Sequence, residues 1–304
     1  MTSLPPSVPV FPVLPLPAQF VAGAWSPKSP PAGMTAWGTE LVVVSTKTGH
    51  VERVLARGRL EVLAQEGSHV FFGQLPGNEE TVIYEVSITG GPVRRIGTAD
   101  SLTPSPNGDF LADQSDSTTD LVVRDIATGT TASIGLRVLA PHIVDPVLKS
   151  LPWVSPGDYF AALIVSNASG PDVSELVVVE ARPHRPLVVV RTKRFSASMT
   201  WDFISRSAKP STVLGGWVPS SGNGPPGPRV VQVTLSGRGV SIRAVGTLPA
   251  SCSDGEGGVD AIDPSGQHVL CSSNPFDIVR FLQGRYRIAR SISGNSLVIT
   301  TATW

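Results

Sequence analysis

The side chains whose chemistry can be argued from type and spacing are two cysteines, five histidines and two acidic runs. Cys252 and Cys271 bracket the turn Asp263-Pro-Ser-Gly266. If 258–262 and 267–271 form neighbouring strands, Cys252 sits just before the first and Cys271 ends the second. The two sulfurs can then meet. A disulfide implies an oxidising compartment; the other reading is two unrelated buried thiols. Zinc does not suit them, because only His268 lies near and a structural site wants four ligands.

The histidines are His50, His69, His142, His184 and His268, and no two have metal-ligand spacing on one strand. They read as surface or hydrogen-bonded residues, unless the fold gathers them from distant segments. Asp113, Asp116 and Asp120 form one acidic run, and Asp254, Glu256, Asp260 and Asp263 the other. Calcium takes several carboxylate oxygens, yet neither run has the EF-hand spacing, and solvated turns explain both. No Gly-x-Ser-x-Gly elbow occurs, and no Gly-rich dinucleotide loop sits between a strand and a helix. Trp153, Trp201, Trp217 and Trp304 fall near strands and suit core packing or a stacking platform for sugar or peptide. The sequence therefore assigns no catalytic residue, no cofactor and no metal ligand. Cys252 and Cys271 stand as a candidate disulfide.

The segments that must position these residues repeat. A polar turn, a short apolar strand and then a hairpin are clearest over 105–135, with Ala127-Thr128-Gly129 at the hairpin tip. Glycine there supplies positive φ. Further hairpins read over 40–55, 81–96, 175–190, 229–244 and, more weakly, 277–289. Turns with Pro and Gly precede several of them, at 105–109, 155–158 and 263–266. Intervals of roughly 40–55 residues between units of about four strands predict the blades of a propeller.

Charged residues are 16% of the 304-residue chain and the formal net charge is +0. Of the 24 basic residues, 19 are Arg, and no basic stripe stands out along the sequence, which argues against nucleic acid as a partner. No apolar run of about 18 residues is present, so no transmembrane segment is expected. The start, 8–17, is apolar but carries Pro every two or three residues and no basic n-region. Residues 1–23 thus read as a Pro-rich linker or edge segment, and 24–304 as one domain.

The turn-strand-hairpin pattern, with Leu121-Val-Val-Arg-Asp-Ile-Ala-Thr-Gly129 as its best example, resembles the WD40-like repeats of TolB-type β-propellers. The likeness spans 37–304 and is closest over 100–192. The Trp-Asp pair of true WD40 repeats is missing from the hairpins; Trp201-Asp202 lies elsewhere in its unit. The Cys pair around Asp-Pro-Ser-Gly is similar to that of propeller ectodomains of actinobacterial membrane or secreted proteins. The resemblance implies an all-β propeller and an extracytoplasmic location, a cytoplasmic one being the alternative.

Closure sets the number of blades, because an open sheet edge invites aggregation. The last strand, 296–304, has no hairpin after it and can complete the first blade. Six blades of four antiparallel strands follow; seven is the alternative, if 193–228 holds extra strands. The expected function is a non-enzymatic binding module whose face loops meet a protein or glycan partner. The rival is a propeller enzyme of lactonase, lyase or glycosidase type, with three or more ionisable groups converging on the central channel.

Overall fold

The computed structural model describes residues 14–26, 38–74, 81–98, 101–105, 110–114, 120–154, 159–166, 173–181, 185–195, 199–219, 229–236, 239–252, 258–272, 275–283, 285–293 and 297–304. In chain order the strands begin with β1 (Gln19–Trp25), β2 (Gly38–Ser45), β3 (Val51–Glu66), β4 (His69–Gln74), β5 (Val82–Ser87) and β6 (Arg94–Thr98). Next come β7 (Ser101–Pro104), β8 (Phe110–Gln114), β9 (Asp120–Asp125) and β10 (Thr131–Gly135), then one turn of helix, α1 (Leu136–Leu139). The next sheet holds β11 (Pro146–Ser150), β12 (Trp153–Val154), β13 (Tyr159–Ser166), β14 (Ser174–Glu180) and β15 (Val188–Phe195). The chain continues through β16 (Met199–Arg206), β17 (Thr212–Pro219), β18 (Arg229–Ser236) and β19 (Gly239–Thr247). It ends with β20 (Val259–Ile262), β21 (His268–Cys271), β22 (Phe276–Leu282), β23 (Arg285–Ile292) and β24 (Val298–Thr303).

Every pairing is antiparallel, and strands pair with their neighbours in sequence with two exceptions: β11 pairs with β13 past the short β12, and β24 pairs with β1, Ala302 facing Ala22. The C-terminal strand therefore completes the unit that the N-terminal strands begin. One sheet has seven strands, in the order β24-β1-β2-β3-β4-β5-β6. It is two units that share β3. Residues Val51 to Arg57 pair with β2, whereas Leu60 to Glu66 pair with β4. Between them Gly58 has φ +140, a backbone that side chains rarely adopt, and there the strand passes from one unit to the next. On this division the described strands form six four-stranded units.

The strands next to the innermost ones are apolar on both faces, as they must be between two neighbouring units. In β1, Phe20 to Ala22 are fully buried; in β13, Phe160 to Ile164 are too. The outer strands are apolar on one side at most, and β23 buries only Tyr286 and Ile292. Six apolar clusters fill the seams. Val21, Leu41, Leu60 and Phe72 lie between units 1 and 2; Phe71, Ile83 and Leu111 between 2 and 3. Leu121, Trp153, Phe160 and Val177 fill the next seam, and Leu163, Leu176, Val213 and Val231 the one after it. Leu214, Val230, Val269 and Val279 join units 5 and 6, and Phe20, Val42, Leu270 and Ile278 join 6 to 1. The ring is closed by packing as well as by β24.

Two expectations change in detail. The boundary at residue 23 falls inside β1: the last proline of the lead-in is Pro17, so 19–23 are free to pair, and Phe20, Val21 and Ala22 are buried. The segment before β1 also clasps the ring. Leu14 N–H donates to Gln267 Oε1 at 2.9 Å and Arg280 Nη2 to Leu14 O at 2.6 Å, while Thr46 Oγ1 donates to Ala18 O at 3.1 Å. It thus fastens unit 6 to unit 1. The extra strands sought in 193–228 are β16 and β17, the two inner strands of unit 5. Residues 220–228, which follow β17, lie outside the described residues.

Candidate functional site

The innermost strand of each unit, β24, β3, β7, β11 with β12, β16 and β20, meets the next around a central cavity of about 410 Å³. That size suits a small ligand or an inserted side chain. Polar links tie the wall together. Val62 N–H donates to Thr301 Oγ1 at 3.1 Å, and Trp153 Nε1–H to Thr103 O at 2.9 Å. Ile204 N–H donates to Ser150 Oγ at 3.1 Å, and Ser205 Oγ–H to Ile262 O at 3.3 Å. Ser150 Oγ thus accepts from the backbone, and Ser205 Oγ donates to it.

Four ionisable residues line the cavity: Glu61 and Glu66 from β3, Arg206 from β16 and Asp260 from β20. Arg206 Nη1 is ion-paired with Glu66 Oε2. Units 2 and 5 are not neighbours in the ring, so this pair crosses the cavity. Asp260 is different. Burial pushes its carboxyl up to about 7, against a smaller lowering by a hydrogen bond from Ser272. Glu61 is raised too, again by burial. Four polar atoms of the lining residues are sealed from solvent without a hydrogen-bond partner: Gln65 Oε1, Arg206 Nε, Asp260 Oδ2 and Trp304 Nε1. Leaving such a group unpaired costs on the order of 1–3 kcal/mol.

The residues singled out in the sequence fall mostly elsewhere. The sulfurs of Cys252 and Cys271 stand 2.19 Å apart with their Cα atoms at 5.2 Å, at disulfide distance. Cys252 ends a 3-10 turn, Ala250–Cys252, and Cys271 ends β21. Both lie in the seam of units 5 and 6. His268 is buried beside Asp263, Nδ1 to Oδ2 at 3.0 Å. Asp263 also accepts from the backbone N–H of Gln267 and of His268 and from Ser265 Oγ. Burial alone raises its pKa, but these bonds, led by that of His268, hold it below the ordinary value. The pair therefore locks the Asp-Pro-Ser-Gly turn.

His69 contacts Glu85, which also binds Arg94, at the surface. His50 and His142 are exposed, and His184 lies outside the described residues. Asp113 is buried in β8, its carboxyl pushed up by burial to about 6, while Asp120 opens β9. Asp116, Asp254 and Glu256 lie outside the described residues. No three His, Cys, Asp or Glu side chains gather as a metal site among the described residues. Trp153 is a core residue, 5.7 Å edge-on to Phe160. Trp304 lines the cavity and meets Phe20 and His268 edge-on at 6.1 and 6.2 Å. Trp201 and Trp217 are partners in register across β16 and β17.

No family model matches the sequence, and no curated protein matches it. Solved structures do. TolB from Acinetobacter baumannii superposes with TM-score 0.53 at 14% identity, over 92% of this chain and 62% of that one. A putative 6-phosphogluconolactonase from Bacteroides uniformis gives 0.54 at 10% identity, over 94% and 99%. The β-propeller domain of Cps50 (Swd1) from Myceliophteria thermophila gives 0.53 at 11%, over 86% and 84%. Identities this low speak for the fold alone: the chain is a TolB-like β-propeller.

Proposed function

We propose that this propeller is a non-enzymatic binding module outside the cytoplasm. It holds a polar group of a protein or glycan partner in the central cavity, and the face loops around the mouth extend the contact. The observation that carries this reading is the set of unpartnered buried atoms, Gln65 Oε1, Arg206 Nε, Asp260 Oδ2 and Trp304 Nε1, on one cavity wall built by six units. Unpaired polar atoms just behind the wall cost stability in the free protein, and a guest toward which the wall shifts can pair them and recover that cost. The cysteine pair at disulfide distance supports the location, since such bonds persist in oxidising compartments.

One observation favours the enzymatic reading. Four ionisable side chains converge on the cavity, and Asp260, raised to about 7, has the poise of a general acid. Two experiments separate the readings. Protein immobilised in wild-type form and as Glu61→Gln/Asp260→Asn is exposed to an envelope extract of the native organism. A binding module retains a partner that the double variant loses. Turnover of a lactone, uronide or glycoside by the wild type, abolished by Asp260→Asn, would establish the enzyme instead.

A further inference from the structure

The charges of this neutral chain are sorted by the fold. Six strands form the outer rim: the first half of β3, then β6, β10, β15, β19 and β23. They carry 11 of the chain's 24 Lys and Arg residues but only one of its 24 Asp and Glu, Glu52. Charge on an edge strand keeps it from pairing with another copy, and either sign serves that purpose. Arg57, Arg94 and Arg194 are ion-paired with Glu40, Glu85 and Glu175 of the neighbouring strands, whereas Arg285, Arg287 and Arg290 of β23 have no ion pair among the described residues and need a further reason. The bias is hidden in the sequence because the rim strands are scattered from 51 to 292.

The densest part is β23. Arg285 and Arg287 lie two residues apart, with Tyr286 buried between them, so both point outward about 7 Å apart. Arg290 follows on the same exposed strand. Grooves flank it on both sides. One, of about 650 Å³, runs between β23 and 246–249 and is lined by Arg285 and Arg287. The other, of about 600 Å³, lies against unit 1 and is lined by Arg290, Lys47 and Glu52. Arg290 Nη1 reaches Thr48 O at 3.5 Å, which brings the Arg to the edge of unit 1.

We propose that the rim centred on β23 binds a flexible polyanionic chain, an acidic or sulfated polysaccharide in the class of its chemistry. Successive outer strands face different directions round the ring. A flat anionic surface touches one or two of them, whereas a flexible chain can follow the grooves and meet Arg285, Arg287, Arg290 and Lys47 in turn. A stiff duplex cannot bend that tightly, and the exposed positions of β23 carry no aromatic ring for base stacking. This surface is separate from the cavity, so either reading can fail alone.

Fluorescent dextran sulfate, with neutral dextran as its control, tests the proposal on the full chain by anisotropy. Binding should be confined to the sulfated polymer. If three charges are neutralised, it should weaken about 20-fold between roughly 50 and 200 mM salt. The variant Arg285→Glu/Arg287→Glu/Arg290→Glu should lose at least about ten-fold. Arg137→Glu/Arg185→Glu/Lys209→Glu, with the same change in net charge away from β23, should lose far less. Equal losses in the two triple variants, binding of neutral dextran, or tighter binding of duplex DNA or phosphatidylglycerol vesicles than of the polymer would each overturn it. Should the triple variant fail to fold, the exposed single changes Arg287→Glu and Arg290→Glu serve in its place.

Discussion

Replacing Asp260 with Asn should stabilise the protein, and more so as pH rises. The carboxyl lines the cavity with Oδ2 unpartnered, and burial raises it from 3.8 to about 7. Below about pH 4 it is neutral in both folded and unfolded chains and has no effect on their balance. Above that, the unfolded carboxyl ionises while the folded one does not, so the unfolded state gains. The loss grows until the folded group itself ionises near pH 7, and is constant beyond. At about 1.4 kcal/mol per pH unit, the full loss is at most about 4 kcal/mol. For a chain this long, that is a Tm difference of about 6 °C. Asn keeps the shape and a hydrogen bond with Ser272, but it does not titrate. Calorimetry from pH 4 to 8 should therefore show the Asn variant gaining on the wild type across that range by several degrees. A gap that stays flat with pH would refute the desolvated carboxyl, and with it the pre-placed acceptor.

Other outcomes follow from the same geometry. Removing 297–304 deletes β24, exposes the edge of β1 and opens the seam around Phe20; a truncated chain that melts like the full one would rule out this closure. Changing Cys252 and Cys271 both to Ser should remove about 3 kcal/mol, about 5 °C in Tm, and leave partner binding intact. Free-thiol labelling of protein from its native source should find neither cysteine reactive. Asp263, held below 3.8 by His268 and its neighbours, stabilises the fold fully above about pH 4. That contribution fades as pH falls through its folded value, so Asp263→Asn should flatten the acid limb of a stability curve.

The fold was legible because local chemistry repeats. Each of the six expected hairpins is the outer pair of a unit, from β2 and β3 to β22 and β23. The closing strand was legible from the unpaired end of the chain. What escaped was β3, whose 16 residues serve two units and read as a single hairpin arm until Gly58 turns it. The cavity escaped for a related reason. Its lining comes one short strand at a time, and Glu66 meets Arg206 across 140 residues. The local clue was polarity among apolar residues in the second half of β3, Glu61, Gln65 and Glu66 beside Leu60, Val62 and Leu63. Asp260 was visible only as a member of an acidic run. The Asp263–His268 lock was half visible: His268 read as a surface or hydrogen-bonded residue and Asp263 as part of a turn and an acidic run, but nothing in the sequence paired the two.

The central claim is that partners are held by the inner strands. Hydrogen–deuterium exchange of the wild-type protein, with and without the partner recovered from the envelope extract, tests it directly. The account predicts new protection over 60–66, 204–206 and 259–262, the cavity-lining parts of β3, β16 and β20. Protection confined to the outer strands, with those three segments unchanged, would contradict it.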